Sequence, residues 1–204
     1  MFADRKDAGV RLAKKLQGYK GKKAVVLGIP RGGVVVAYEV AKALKLPLDI
    51  IVVRKVGHPS SPEFAICALD ESGTMMCDEI AESMDKQWLS RALRREQDEA
   101  ERRAHVYRAG RKSLDLKGKT AIIVDDGIAT GLTMRVAIAN AHRADASRIV
   151  VAAPVISSDA EQDFREDADE IISLESLDSL IPAVGAHYVR FTQTEDEEVI
   201  RLLR

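Results

Sequence analysis

Ala121-Ile122-Ile123-Val124-Asp125-Asp126-Gly127-Ile128-Ala129-Thr130-Gly131-Leu132-Thr133 is the stretch on which the fold turns. It opens with four apolar residues in a row, too few for a helix and suited to a parallel strand covered on both faces. Two adjacent carboxylates stand where that strand ends. A Gly and a short bridge then lead to Thr-Gly-x-Thr, which opens a helix predicted over Met134–His142. A turn of this kind offers backbone N–H groups and hydroxyls to an anion at a helix N-terminus.

The same grammar repeats on either side. Ala24–Leu27 is a short apolar strand, followed by Gly28-Ile29-Pro30-Arg31-Gly32-Gly33 and a helix over Val34–Leu44. Leu48–Val53 is a third buried strand, ending at Arg54-Lys55. Downstream come a strand at Arg148–Val155, a helix at Ala160–Phe164 and a strand at Glu170–Leu174. The alternation predicts an α/β protein with an open, mainly parallel twisted sheet and helices on both faces. Asp4 is placed to cap a first helix whose apolar stripe is Ala8, Leu12, Ala13 and Leu16. Thr194-Glu195-Asp196-Glu197 reads as a capping box for a last helix.

Between the third strand and the opening stretch the pattern changes. Val56–Pro62 reads as a loop. Phe64–Leu69 and Thr74–Met76, separated by Asp70-Glu71-Ser72-Gly73, read as a hairpin. Asp85–Lys112 is a charged helix of roughly 40 Å if unbroken, with Asp98→Arg102 and Glu99→Arg103 as i,i+4 pairs. Between Lys86 and Lys112, nine Lys/Arg against four Asp/Glu suit either a docking face for a phosphate-rich partner or a solvated, subunit-contacting helix. Neighbouring acids favour the latter.

The 204 residues suffice for one domain spanning 1–204, with about 63–112 as a flap and charged-helix insertion. A net charge of -1 gives no reason to expect nucleic acid or an acidic membrane as partner. Cys67 and Cys77 lack metal-site spacing and are expected as reduced thiols. No apolar run approaches a membrane span, and Met1–Lys6 lacks the apolar core of a secretory signal. A cytoplasmic location is the expectation.

In an open parallel sheet the carboxyl ends of the strands share one edge, where ligands bind. Pro30–Gly33, Arg54-Lys55 and Asp125–Thr133 should therefore meet. Each has a plainer reading: Gly32-Gly33 as an ordinary tight turn, Arg54-Lys55 as a solvated strand end. Asp125-Asp126 is harder to dismiss, because two like charges after a buried strand repel and lose hydration. Two acids beside an anion cradle suit a ligand with a phosphate and a pair of hydroxyls, such as a ribose 5-phosphate. Gly28–Gly33 matches neither the P-loop nor the dinucleotide fingerprint. A receiver-type acid pair would follow the first strand rather than a mid-chain one.

Val124–Thr133 resembles the phosphoribosyl pyrophosphate (PRPP) signature of type I phosphoribosyltransferases, and Arg31-Gly32-Gly33 resembles their pyrophosphate loop. The likeness covers roughly residues 20–190 and is nearest to a little-characterised bacterial branch. It implies that Asp125 and Asp126 hold the ribose hydroxyls. Ala129, Thr130, Gly131, Leu132 and Thr133 would wrap the 5′-phosphate, and Gly127 and Ile128 belong to the same PRPP-binding stretch. Arg31, Gly32 and Gly33, in a loop that often carries a non-proline cis peptide, would take the pyrophosphate with Mg²⁺. Arg54 and Lys55 would add positive charge. Arg31, Lys55, Asp125 and Asp126 are the implied catalytic residues. No direct protein site for Mg²⁺ is implied: the ion would arrive through PRPP, with Asp125 or Asp126 as the side chains to touch it. A mobile lid would close over PRPP, here expected at Val56–Gly73.

The acceptor base would be chosen by a hood made of the N-terminal helix and Ile181–Thr192, with His187, Tyr188 and Phe191 as candidate base contacts. No hood pattern matches a particular base. The implied partners are PRPP, an unidentified base and a second copy in a homodimer. A regulatory module that binds PRPP or a ppGpp-like nucleotide without catalysis is the main alternative, and a hydrolase using the same cradle is a weaker one.

Overall fold

The computed structural model describes residues 1–177 and 183–204, with Glu63 described through its backbone alone. A first helix, α1 (Arg5–Lys15), starts at Asp4, whose carboxylate accepts the Asp7 N–H. Next come β1 (Ala24–Gly28), α2 (Gly32–Leu44) and β2 (Leu48–Ile50). An antiparallel group follows: β3 (Val53–His58), β4 (Ser61–Asp70) and β5 (Met75–Cys77), then α3 (Lys86–Tyr107). The chain closes with β6 (Thr120–Val124), α4 (Leu132–Arg143), β7 (Arg148–Ser157), α5 (Ser158–Phe164), β8 (Glu170–Leu177) and α6 (Asp196–Leu202).

The main sheet has the order β2-β1-β6-β7-β8, and every pairing in it is parallel. The period-2 alternation of a strand builds two cores from the same residues. Val25, Leu27, Ala121, Ile123, Ile149 and Val151 pack under α4 and α5. Val26, Ile122, Val124, Val150 and Ala152 pack under α1 and α2. This double burial explains why the strands read as unbroken apolar runs. Among the described residues no helix is long and apolar enough to cross a membrane.

Several expectations need correction. The strand predicted over Leu48–Val53 stops at Ile50, and Val53 begins a strand of a second sheet, β3-β4-β5. Arg54-Lys55 therefore lies within a strand, and the predicted loop at Val56–Pro62 is largely β3, a turn and the start of β4. The segment expected as a lid is a paired hairpin, with Arg54 opposite Leu69 and Lys55 opposite Ala68. Val and aromatic spacing was diluted there by Gly57, Pro59 and Pro62, which masked the strands.

Cys67 and Cys77 are directly paired across β4 and β5 and joined as a disulfide, not left as thiols. The charged helix ends at Tyr107, because Ala109 and Gly110 adopt left-handed backbone. Arg108 turns inward there, to Asp49 at 2.8 Å and Glu71 at 3.0 Å. Glu99 takes both Arg102 and Arg103, which leaves the expected Asp98–Arg102 pair unmade. The two guanidiniums hold the Glu99 carboxyl down at about 2. At the C-terminus the capping box does not form: α6 begins one residue later than expected, with Glu195 at the N-cap and no side-chain cap bond. Thr194 is buried instead.

Candidate functional site

Three strand ends deliver the site. At the end of β6, the Ile29 N–H donates to Val124 O (2.9 Å) and the Asp125 N–H to Ala152 O (3.3 Å), so the turns after β1 and β6 stay bound to the sheet edge. The Ile128 N–H donates to Val155 O and its carbonyl accepts from Ser157 N–H, each at 2.9 Å. Ser157 Oγ adds a 2.6 Å bond to Ala129 O. The cradle is thus pinned to β7 by its own backbone. Ile128 serves as that pin and not as a free N–H donor. By contrast, the N–H groups of Ala129, Thr130 and Gly131 meet no acceptor among the described residues. They precede α4, whose first N–H groups are also without helical partners. Gly131 takes φ 78°, a left-handed turn that favours glycine, and aims this run at one point.

The turn after β1 crosses directly over the acids. The Pro30–Arg31 peptide is cis, as the resemblance implies. A Cβ on Gly32 would fall 1.9 Å from Asp126 Oδ2, and one on Gly33 would fall 2.7 Å from Asp125 Oδ1. Both glycines are therefore required by the approach of the backbone to the carboxylates. Arg31, Gly32, Arg54, Lys55, Asp125, Asp126 and Thr133 line one cleft of about 330 Å³. The two polar turns and the start of β3 thus converge on one cleft. Thr130 and Leu132 face an adjoining cavity, also lined by Lys55, that runs beneath the β4–β5 hairpin.

The acids have distinct surroundings. Burial, reinforced by the charge of Asp126, pushes the Asp125 carboxyl well above its usual range. Asp126 is paired with Arg5 Nε at 2.6 Å. Arg5 also donates to Thr192 O at 2.6 Å, and its guanidinium lies 3.8 Å over the Phe191 ring. Two like charges are thus kept apart by a cation on one and desolvation on the other.

The cations differ too. Lys55 has no ion pair among the described residues and reaches both cavities. Arg54 lines the cleft, but its guanidinium turns to Glu96 of α3, at 2.8 Å. Neighbouring residues of a strand face opposite ways, so one of this pair was bound to face the helix. Arg31 is held loosely by the first turn of α6, 3.5 Å from Asp196 and 3.7 Å from Glu195. Tyr107 donates to the same Asp196 oxygen at 2.7 Å, and burial lifts its phenol to about 12.

The hood is placed partly as expected. Ile181 and Pro182 lie outside the described residues. Val184 packs against Gly127, where an added Cβ would meet it at 2.2 Å. Tyr188 is buried against Phe2, ring centroids 5.3 Å apart, and its hydroxyl donates to Asp126 O at 2.5 Å. Burial raises its pKa. His187 is bonded through Nδ1 to Glu175 at 2.8 Å. Tyr188 is thus part of the core rather than a free ring, while His187 is half-buried with its Nε2 meeting no partner among the described residues. Phe191 keeps 37% exposure beneath Arg5.

Two contributors escaped the sequence reading, Arg5 and Asp196. Arg5 sits 121 residues from Asp126 on a helix whose pattern marks it only as polar. Asp196 looked like a first-turn helix acid, a role it fills as well. No local signal distinguishes either. Among the described residues no group of three His, Cys, Asp or Glu side chains is arranged to hold a metal.

Comparisons with known proteins agree with this geometry. The family described as phosphoribosyl transferase domain matches residues 4–186. Two curated Mycobacterium tuberculosis proteins, from strains CDC 1551 / Oshkosh and ATCC 25618 / H37Rv, are each provisionally named a phosphoribosyl transferase. Each is 45% identical over 208 residues, covering 100% of this chain and 46% of the relative. The chain thus spans about half the length of the curated relatives it matches. Among solved structures, TT1426 from Thermus thermophilus is 40% identical, covers 99% of this chain and 97% of its own, and superposes with a TM-score of 0.83. The AQ2163 protein from Aquifex aeolicus, 12% identical over 84% of this chain and 73% of its own, shares the fold with a TM-score of 0.50.

Proposed function

Because the chain belongs to the phosphoribosyl transferase domain family, we propose that it transfers the 5-phosphoribosyl group from PRPP to a ring nitrogen of a nucleobase or related heterocycle, releasing pyrophosphate. One observation carries this reading: Arg31-Gly32, Lys55 and Asp125-Asp126 meet in a single cleft beside the free N–H groups of Ala129–Gly131.

The donor's 5′-phosphate would sit on those N–H groups and the Thr130 and Thr133 hydroxyls. Asp125 and Asp126 would accept from the ribose hydroxyls, Arg5 exchanging its contact with Asp126 for one shared with the ligand. The ring nitrogen's lone pair forms the bond to C1 while the C1–O bond breaks, and that electron pair leaves with pyrophosphate. Arg31 and Lys55 are placed to meet the negative charge that grows on the leaving group. The cradle fixes the angle of attack. No side-chain nucleophile is needed.

Hard carboxylate oxygens suit Mg²⁺, which commonly binds through one or two carboxylates and substrate phosphates. Asp125 and Asp126 are the residues that would touch it, and bound there it would supply Lewis-acid stabilisation of the pyrophosphate.

A second reading has its own support. Tyr188 is bonded to the Asp126 backbone, His187 to Glu175 through Nδ1, and Arg5 covers one face of Phe191, so among the described residues of the hood each aromatic ring is engaged by the protein itself. A donor-binding regulatory module would look like this. The two are separated by measuring pyrophosphate release from PRPP across a panel of purines, pyrimidines and other heterocycles. Base-dependent release is expected; tight PRPP binding with no release for any base would replace the transferase with the sensor.

A further inference from the structure

A second cavity, of about 460 Å³, lies across Arg5 from Asp126, bounded by α1, α2, α6 and the segment leading into α6. Its size is that of a small-molecule site. Glu39 of α2 lines it while only 9% exposed. The stem of Glu39 is wedged against Gly9 of α1, where an added Cβ would meet it at 2.9 Å. Among the described residues no donor or cation reaches its carboxylate. Thr194, 5% exposed, lines the same cavity, and its hydroxyl is likewise without a partner there. Both groups open onto the cavity, where a ligand's donors can reach them. The transfer chemistry uses neither group.

The rest of the lining narrows the ligand. Tyr38 offers an aromatic ring beside Glu39, and Lys42 Nζ stands 5.8 Å from that ring's centroid. Lys6 and Lys42 line the mouth with no ion pair among the described residues. A carboxylate inside, a ring along the wall and free ammonium groups outside call for a planar base with adjacent N–H donors and an anionic tail. We propose that this cavity binds a guanine nucleotide. The guanine N1–H and exocyclic amino group lie side by side and match the two oxygens of Glu39. Adenine presents an acceptor at N1 and would face that carboxylate lone pair to lone pair. Tyr38 stacks on the base, and Lys6 and Lys42 take the phosphate.

The proposal does not rest on the transferase reading. It does require care, because GMP also carries a ribose 5-phosphate that the Asp125–Thr133 cradle can hold. The test is calorimetric titration of GMP into the full chain carrying Asp125→Asn and Asp126→Asn, which removes the ribose clamp beside that cradle. One GMP per chain is expected, with affinity falling roughly tenfold or more when Glu39→Gln is added, and with AMP binding far more weakly. No binding, AMP binding equal to GMP, or no effect of Glu39→Gln overturns the proposal. A crystal of the unaltered chain grown with GMP answers without any variant. Nucleotide in the Glu39 cavity supports the site, and nucleotide confined to the cradle refutes it. PRPP titration of the Glu39→Gln chain reports on the donor site separately.

Discussion

The Asp125–Thr133 turn and the β3-β4-β5 sheet line the same pair of cavities, yet they are held by different means. The turn is fixed by backbone: Asp125 and Ile128 donate to β7, and Ser157 donates back to Ile128. The antiparallel sheet is joined within itself by its own ladder and the Cys67–Cys77 disulfide, and is tied to the rest of the molecule by side chains from distant parts of the chain. Arg54 reaches Glu96, Arg108 joins Asp49 and Glu71, and Asn140 Nδ2 donates to Asp70 at 2.6 Å. One region inherits its shape from the parallel sheet beneath it. The other is anchored to its surroundings by a few charged and polar side chains.

That contrast makes Arg108 the most sensitive point. Arg108→Met leaves the carboxylates of Asp49 and Glu71 without their cation in a site where burial already raises the Glu71 pKa. Breaking a buried pair in this way costs roughly 3–5 kcal/mol, which thermal unfolding will read. A wild-type melting temperature would erase the distinction between the two regions.

Arg31→Ala tests the cleft itself. Loss of one donor to the leaving group should slow pyrophosphate release by roughly 10²–10³-fold with little change in melting temperature. Unchanged turnover would remove Arg31 from the reaction.

The same contrast explains what the sequence could show. Asp125–Thr133 carries its strand, acids and cradle in consecutive residues, so its geometry is local and legible. The parallel sheet was legible for the same reason, each strand being a contiguous apolar run. Arg5, Asp196 and the inward turn of Arg108 depend on partners far along the chain, and helical polar residues give no sign of whom they will meet. Arg54-Lys55 shows the intermediate case: the pair was found, but with the strand hidden by prolines its two faces were not. The disulfide belongs with the hidden features, since Cys67 and Cys77 become neighbours only through the register of β4 and β5.

Asp125→Asn sharpens the local side of the comparison. In the folded chain Asp125 holds its proton at pH values where the unfolded chain has lost it. Stability therefore falls as pH rises from the ordinary carboxylate range toward the raised folded value. The neutral amide removes that penalty, so the ligand-free variant should melt higher at neutral pH, by roughly 2–4 °C per kcal/mol gained. Its advantage should vanish in acid. A lower melting temperature at neutral pH would mean that the ionised carboxylate is stabilising. The smallest effect is expected for Tyr107→Phe, which deletes the bond to Asp196 beside Arg31 and costs roughly 0.5–1.5 kcal/mol. A larger loss in denaturant titration would show that α6 depends on this bond more than its packing suggests.

The central claim is that the two acids clamp the ribose of PRPP. Its most direct test is the change in melting temperature on adding PRPP with Mg²⁺ to the wild-type chain and to the Asp125→Asn, Asp126→Asn chain. The wild type should be stabilised by roughly 2.7 kcal/mol at a hundredfold excess over Kd, and the double variant should show no shift. An equal shift in both proteins would contradict the clamp.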